Sequence, residues 1–194
     1  MKSSQRNPSS CIAISGAALL LFAGCASEVV DPVSEESDEV VSACAPEVPG
    51  LAGPAGNKLA FAYDAIGVQI YGCDANATGY GWVLRGPEAT LYGKRGKPAG
   101  IHYAGPTWES NDGSTVVASK LAEYAADPTS IPWLLLGATA HTGKGRMSDV
   151  SYIHRLDTAG GKAPATGCDA GHTGETTRVD YTATYYFYEA RGKK

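Results

Sequence analysis

From Arg178 to Tyr188 the chain alternates so regularly that an extended backbone is the conformation that suits it. Val179, Tyr181, Ala183, Tyr185 and Phe187 fall on one side, and Asp180, Thr182, Thr184, Tyr186 and Tyr188 on the other. A helix would scatter both sets around its circumference. The apolar face of one strand cannot bury itself, so this segment demands further strands with matching faces. With 24 Gly and 11 Pro in 194 residues, the chain is poorly suited to long helices.

The partners are visible upstream as short runs rich in Val, Ile, Thr, Tyr and Trp between Gly, Pro, Asn and Asp clusters. Lys58 to Tyr63 and Val68 to Tyr71 flank Asp64-Ala-Ile-Gly67, read as a hairpin loop. Tyr80 to Arg85 and Glu88 to Tyr92 follow, separated by Gly86-Pro87, and Gly93 to Gly96 turns into Ala99 to Tyr103. Ser114 to Leu121 begins as a strand, although Val117, Leu121 and Tyr124 have the spacing of a short helix. Trp133 to Thr139 is continuously apolar, as a strand buried on both faces would be, and Asp149 to Leu156 precedes the last strand. The expectation is a single all-β, antiparallel domain of about nine short strands with at most one short helix. A β-sandwich or a barrel-like sheet would both dispose of the edges; the sandwich is favoured.

The domain starts at about Leu51 and runs to about Arg191. Before it, Lys2 and Arg6 precede an eleven-residue apolar run, Ile12 to Phe22, too short to span a bilayer but suited to a signal peptide over residues 1–24. The run ends in Phe22-Ala23-Gly24-Cys25, which resembles a bacterial lipobox with Phe in place of Leu. That resemblance implies lipidation of Cys25 and anchoring to the cell envelope, at the outer membrane if the cell is Gram-negative. The alternative is an ordinary cleavage near Ala26 and a soluble secreted product. Residues 25–50 then form a tether with seven acids, no Lys or Arg and no aromatics, a composition that repels itself and does not build a core.

Charge divides along the same boundary. The formal net charge is -4, but setting aside Lys2, Arg6 and the seven tether acids leaves 14 basic and 13 acidic residues from Leu51 onward. A near-neutral domain without a basic cluster has no electrostatic footprint for nucleic acid.

Six ordered motifs carry a family resemblance. They are Gly67-Val-Gln-Ile-Tyr-x-Cys73, Gly86-Pro-Glu-Ala-Thr-Leu-Tyr92, His102-Tyr-Ala-Gly-Pro-Thr-Trp-Glu109, Ile131-Pro-Trp-Leu-Leu-Leu136, Gly160-Gly-Lys-Ala-Pro-x-x-Gly-Cys-Asp169 and Tyr181-Thr-Ala-x-Tyr-Tyr-Phe-Tyr188. Together, over about Ala55 to Tyr188, they resemble the secreted family catalogued as domain of unknown function 3455, found in bacteria and fungi. The resemblance implies export and carries no catalytic residue onto this chain. His154 stands where many members have Gln, and Cys44 lies outside the pattern.

Candidate chemistry is sparse. With Cys11 in the signal and Cys25 lipidated, an exported chain can pair Cys73 with Cys168 as a disulfide, leaving Cys44 over. Thr158 to Thr177 reads as a twenty-residue loop with five Gly, holding Asp169 and His172 beside Cys168, and a loop of that length is often functional. His102, His141 and His172 are weak metal candidates, with Glu109, Asp112 or Asp169 as oxygen donors, although no two histidines have chelating spacing. No cofactor is expected. There is no GxSxG elbow, and Lys144 lacks the flanks of a P-loop. Glu88 with Glu109 is the one carboxylate pair worth weighing for hydrolysis. Outward Tyr186 and Tyr188 with Trp82 or Trp108 would make an aromatic platform for an envelope glycan or a peptide. The expected function is a lipid-anchored envelope binding or structural module, leaning away from an enzyme. The alternative is a metal-binding protein or hydrolase centred on the 158–177 loop.

Overall fold

The computed structural model of the chain describes residues 48, 50–53 and 55–192. The expected signal peptide, Cys25, Cys44 and nearly all of the expected tether lie outside the described residues. Among the described residues, eight antiparallel strands form one sheet that closes on itself. They are β1 (Asn57–Asn76), β2 (Gly79–Tyr92), β3 (Pro98–Tyr103), β4 (Thr107–Ser110), β5 (Thr115–Tyr124), β6 (Trp133–Thr142), β7 (Val150–Gly160) and β8 (Thr176–Ala190). The only helical elements among them are two 3-10 turns, Lys94–Gly96 and Ala170–His172. The all-β class holds, and the architecture is the barrel rather than the favoured sandwich. The closure is direct, because β1 pairs with β2 along one edge and with β8 along the other.

Eight strands replace nine for physical reasons. Asp64-Ala-Ile-Gly67 is not a hairpin loop; β1 runs straight through it for 20 residues. Ala65 points into the core at 1% exposure, and Asp64 accepts a hydrogen bond from Thr184 on the outside. Gly67 is needed for contact, because a Cβ there would collide with Glu88 and Ala89 of β2. Likewise Gly86-Pro87 does not divide two strands. The register slips between Ile70 and Tyr71 opposite Arg85, so the pair forms part of a bulge inside β2. One strand was missed: β4 has only four residues and follows directly on Gly105-Pro106. The helix-like spacing of Ser114 to Leu121 comes from slips in the β5–β6 register at Val117/Ala118 and Lys120/Ala122.

The inward faces meet in an aromatic core. Phe61 stacks on Phe187 with centroids 4.6 Å apart, and Trp108 lies edge-on to Tyr185 at 5.3 Å. Leu134, Leu136 and Ala138 of β6 line the same interior. On the outside of β6, Trp133 and Leu135 pack with Val48, Leu51 and Leu156, so the strand is apolar on both faces because a strap of chain crosses its outer side. Folded structure therefore begins before Leu51.

Each end of the barrel is closed differently. At the lower end Asp112 receives hydrogen bonds from Ser114 and from the Arg146 backbone amide, and these hold its carboxyl down to about 2. Ser114 Oγ accepts from Met147, and the Arg146 guanidinium lies 4.5 Å over the Phe61 ring. At the upper end, the β7–β8 connection is tied to the β1–β2 hairpin by the Cys73–Cys168 disulfide, whose partners are 95 residues apart in sequence. Trp82 Nε1 donates to Thr166 O at 2.9 Å, and Cys73 exchanges backbone hydrogen bonds with Gly174 and Glu175.

Closing so long a loop constrains the unfolded chain by about 4–5 kcal/mol in the chain-entropy model. Replacing Cys73 and Cys168 by Ala should therefore lower the unfolding free energy in guanidinium by roughly 3–5 kcal/mol while the far-ultraviolet spectrum stays that of a barrel. An oxidised chain and a dithiothreitol-treated chain with the same midpoint would contradict this.

Candidate functional site

Inward positions on four strands of the barrel carry polar side chains where the alternation calls for apolar ones. Gln69 and Tyr71 of β1, His102 of β3, Arg155 of β7, and Tyr181 and Tyr185 of β8 form this belt, and all but Arg155 are at most 7% exposed. Two features of β7 shape it. Ile153 puts Arg155 on the inward phase, and a register slip after Leu156, with Asp157 at φ 50°, turns Thr158 inward to donate to Ile131 O at 2.6 Å.

The belt has more donors than partners. Arg155 gives Nε and Nη2 to Pro132 O at 3.2 and 2.8 Å, and among the described residues no carboxylate pairs with it. Tyr71 donates to Gly161 O at 2.6 Å, and the Tyr181 and Tyr185 hydroxyls lie 3.4 Å apart. The Gln69 side-chain nitrogen and Trp108 Nε1 are buried without a hydrogen-bond partner. Gly161, at φ 79°, crosses directly over Tyr181, Ile131 and Gln69, and a Cβ there would strike Tyr181.

Burial dominates the electrostatics. It raises Tyr71, Tyr181 and Tyr185 above the ordinary phenol value; the Arg155 charge opposes the shift at all three, and the neighbouring Tyr185 adds to it at Tyr181. Burial also lowers His102 to about 3, against the Thr107 carbonyl, with Arg155 pushing the same way as burial. Since a carbonyl only accepts, Nδ1 of His102 carries the proton it donates to Thr107 O at 2.8 Å. The ring stacks on Trp108 at 4.2 Å.

The wall beside the belt is incomplete. β3 pairs with β2 only over Glu88–Tyr92, and β4 pairs with β5 only over Thr115–Val117. Residues 79–87 of β2 and 118–124 of β5 thus have a strand neighbour on one side alone. Of the seven exposed large apolar side chains among the described residues, five sit on these two half-strands: Tyr80, Val83, Leu84, Leu121 and Tyr124. The barrel is notched there, two strands wide.

The residues singled out from sequence do not assemble. Trp108 is inside the core at 1% exposure, and Tyr188 is buried on the outer face, its hydroxyl 3.0 Å from His154 Nδ1. Tyr186 borders the strap cluster and Trp82 supports the upper loop, so the four rings make no common platform. Asp169 and His172 do meet, at 2.7 Å, but at an exposed turn where Asp169 also caps the Gly171 amide. That pairing lowers Asp169 and raises His172 from their ordinary values. His141 donates from Nε2 to Val150 O at 2.8 Å in a groove between β6 and β7. Among the described residues no three His, Cys, Asp or Glu side chains gather as a metal site. Glu88 is paired with Arg178 at 2.9 Å, and Glu109 accepts from Tyr103 at 3.1 Å.

A family model described as a protein of unknown function, DUF3455, matches residues 54–189, nearly the whole barrel. The chain belongs to this family. No curated protein and no solved structure matches it. Four of the six motifs of this DUF3455 chain carry the belt and its supports: Gln69 and Tyr71 lie in the first, His102 and Trp108 in the third, Gly161 in the fifth, and Tyr181 and Tyr185 in the last. Arg155 lies in none. What marks it in the sequence is an Arg two residues beyond Ile153 in an otherwise apolar inward phase.

The buried imidazoles set an acid limit. His102 and His154 have folded values below the ordinary 6.5, so the unfolded chain binds protons first as pH falls. Their share of stability is intact above about 6.5 and is lost progressively below it, for His102 down to about 3, at no more than about 1.4 kcal/mol per pH unit for each group. Guanidinium midpoints should fall steadily from pH 7 to pH 4, with a shallower slope in His102→Phe. A His102 ring resonance that titrates near pH 6.5 in the folded protein would refute the assignment.

Proposed function

We propose that this DUF3455 protein is exported, lipidated at Cys25 and displayed on the cell envelope as a binding module, not a catalyst. The membrane partner on this reading is reached through acyl chains on Cys25 and the acidic tether, the composition of both being suited to that role. The ligand is a small molecule or chain end carrying a carboxylate, taken at Arg155 beneath the notch. The observation that carries the reading is Arg155 itself, a half-buried guanidinium with no acidic partner among the described residues. Its charge reaches the Tyr71, Tyr181 and Tyr185 hydroxyls, and the same belt holds the unpartnered side-chain nitrogen of Gln69. A planar fork of N–H donors in a low-dielectric setting matches a carboxylate bidentately. Its neighbours favour binding over chemistry. His102 and His141 are hydrogen-bonded to carbonyl groups, His154 to Tyr188 and His172 to a capping Asp, so none is poised against a Ser or Cys nucleophile.

Two measurements test this. A thermal-shift panel of acetate, succinate and galacturonate, with glucose as the uncharged control, should show stabilisation by a carboxylate that disappears in Arg155→Gln. Equal stabilisation by glucose, or an unchanged shift in Arg155→Gln, would remove the support for the site. For the anchor, Cys25→Ser should abolish palmitate labelling in cells, and persistent labelling would leave the lipoprotein reading without a basis.

A further inference from the structure

The free upper half of β2 lacks the defences that unpaired edges normally carry. An exposed edge is a row of backbone donors and acceptors ready to take another strand, and proteins usually guard it with charges, Pro or bulges. The free half of β5 is guarded in this way: Leu121 sits at a register slip, and Lys120 and Glu123 form an exposed ion pair at 2.6 Å. Gly79–Arg85 of β2 has no Pro and no bulge before Arg85. Its one charge, Arg85, is held by Asp74 at 2.6 Å on the β1 side. Tyr80, Val83 and Leu84 are 43%, 41% and 54% exposed.

We propose that a second copy of this chain covers this edge, β2 pairing with β2 antiparallel about a two-fold axis at Trp82. In that register Tyr80 faces Leu84 of the other copy, Gly81 faces Val83, Trp82 faces itself and Gly79 faces Arg85. Two apolar cross-strand pairs form, the small Gly81 makes room for Val83, and the two Arg85 side chains stay apart. Seven residues of ladder give about 23 Å of new sheet at roughly 3.3 Å per residue. An isologous contact closes on itself, so each copy satisfies the other's edge and neither is left to propagate into a fibre. The segment is uncharged apart from Arg85, which favours a partner strand of the same neutral, aromatic character over an acidic or basic one. The pairing is argued from the β2 edge and not from Arg155, so it survives the failure of that reading, although the added strand would occupy the β2 side of the notch.

The test uses the full-length chain. Density-matched sedimentation equilibrium in detergent should give twice the protomer mass. Leu84→Lys and Val83→Lys should each raise the dissociation constant roughly tenfold or more, since each places a charge on the new ladder. Both side chains are exposed, so the variant protomers should keep the far-ultraviolet spectrum of the unaltered chain. In cells co-expressing Tyr80→Cys and Leu84→Cys copies, mild oxidation should yield a crosslinked dimer, whereas Ile101→Cys, exposed on β3, should not. A monomer at all accessible concentrations overturns the proposal. So does a dimer that persists in Leu84→Lys, or crosslinking by Ile101→Cys as efficient as that by the β2 pair.

Discussion

The pairing of β1 with β8 is what the rest of this structure depends on. It brings residues from opposite ends of the domain side by side, Phe61 next to Phe187 and Tyr63 next to Tyr185. It also makes one face of every strand an interior. Without it the sheet would be an open ribbon with two long edges, and the aromatic stack at its centre would face water. The pairing is non-local, so its loop-closure entropy is met late, and the Cys73–Cys168 link works in the same direction by restricting the unfolded chain.

Much of this was legible beforehand. The alternation of β8 named its inward residues correctly, and Tyr181, Ala183, Tyr185 and Phe187 are buried. The all-β class followed from local composition, and the cysteine pair from the expectation of export. The errors share a cause. Glycine next to a polar residue usually means a turn, but at Gly67 it means a strand passing too close for a side chain, a fact about the neighbour on β2. Closure itself is also non-local, which is why sandwich and barrel could not be separated.

The site was harder to read because polarity in the interior looks, in one dimension, like a lapse in the pattern. Arg155 sits between His154 and Leu156, and nothing local says which of the two adjacent polar residues turns inward. The structure places the imidazole outside, under the strap, and the guanidinium inside. The lower half of the barrel is apolar and sealed by the Asp112–Ser114–Met147 hydrogen bonds. The polar upper half faces the notch left by β3 and β4. One closed sheet therefore contains an apolar base and a polar upper interior.

The strap at Val48 and Leu51 has a mechanical consequence. Any pull on the chain from its N-terminal side reaches these residues before it reaches Asn57, where β1 begins. The strap is held by side-chain contact with Leu156 and its neighbours, not by a ladder of backbone bonds. No strand pairing of the barrel runs through it, so losing this contact would leave the ladder intact. Because side-chain contacts hold it, the strap would give way under such a pull before the hydrogen-bonded seam between the first strand and the last.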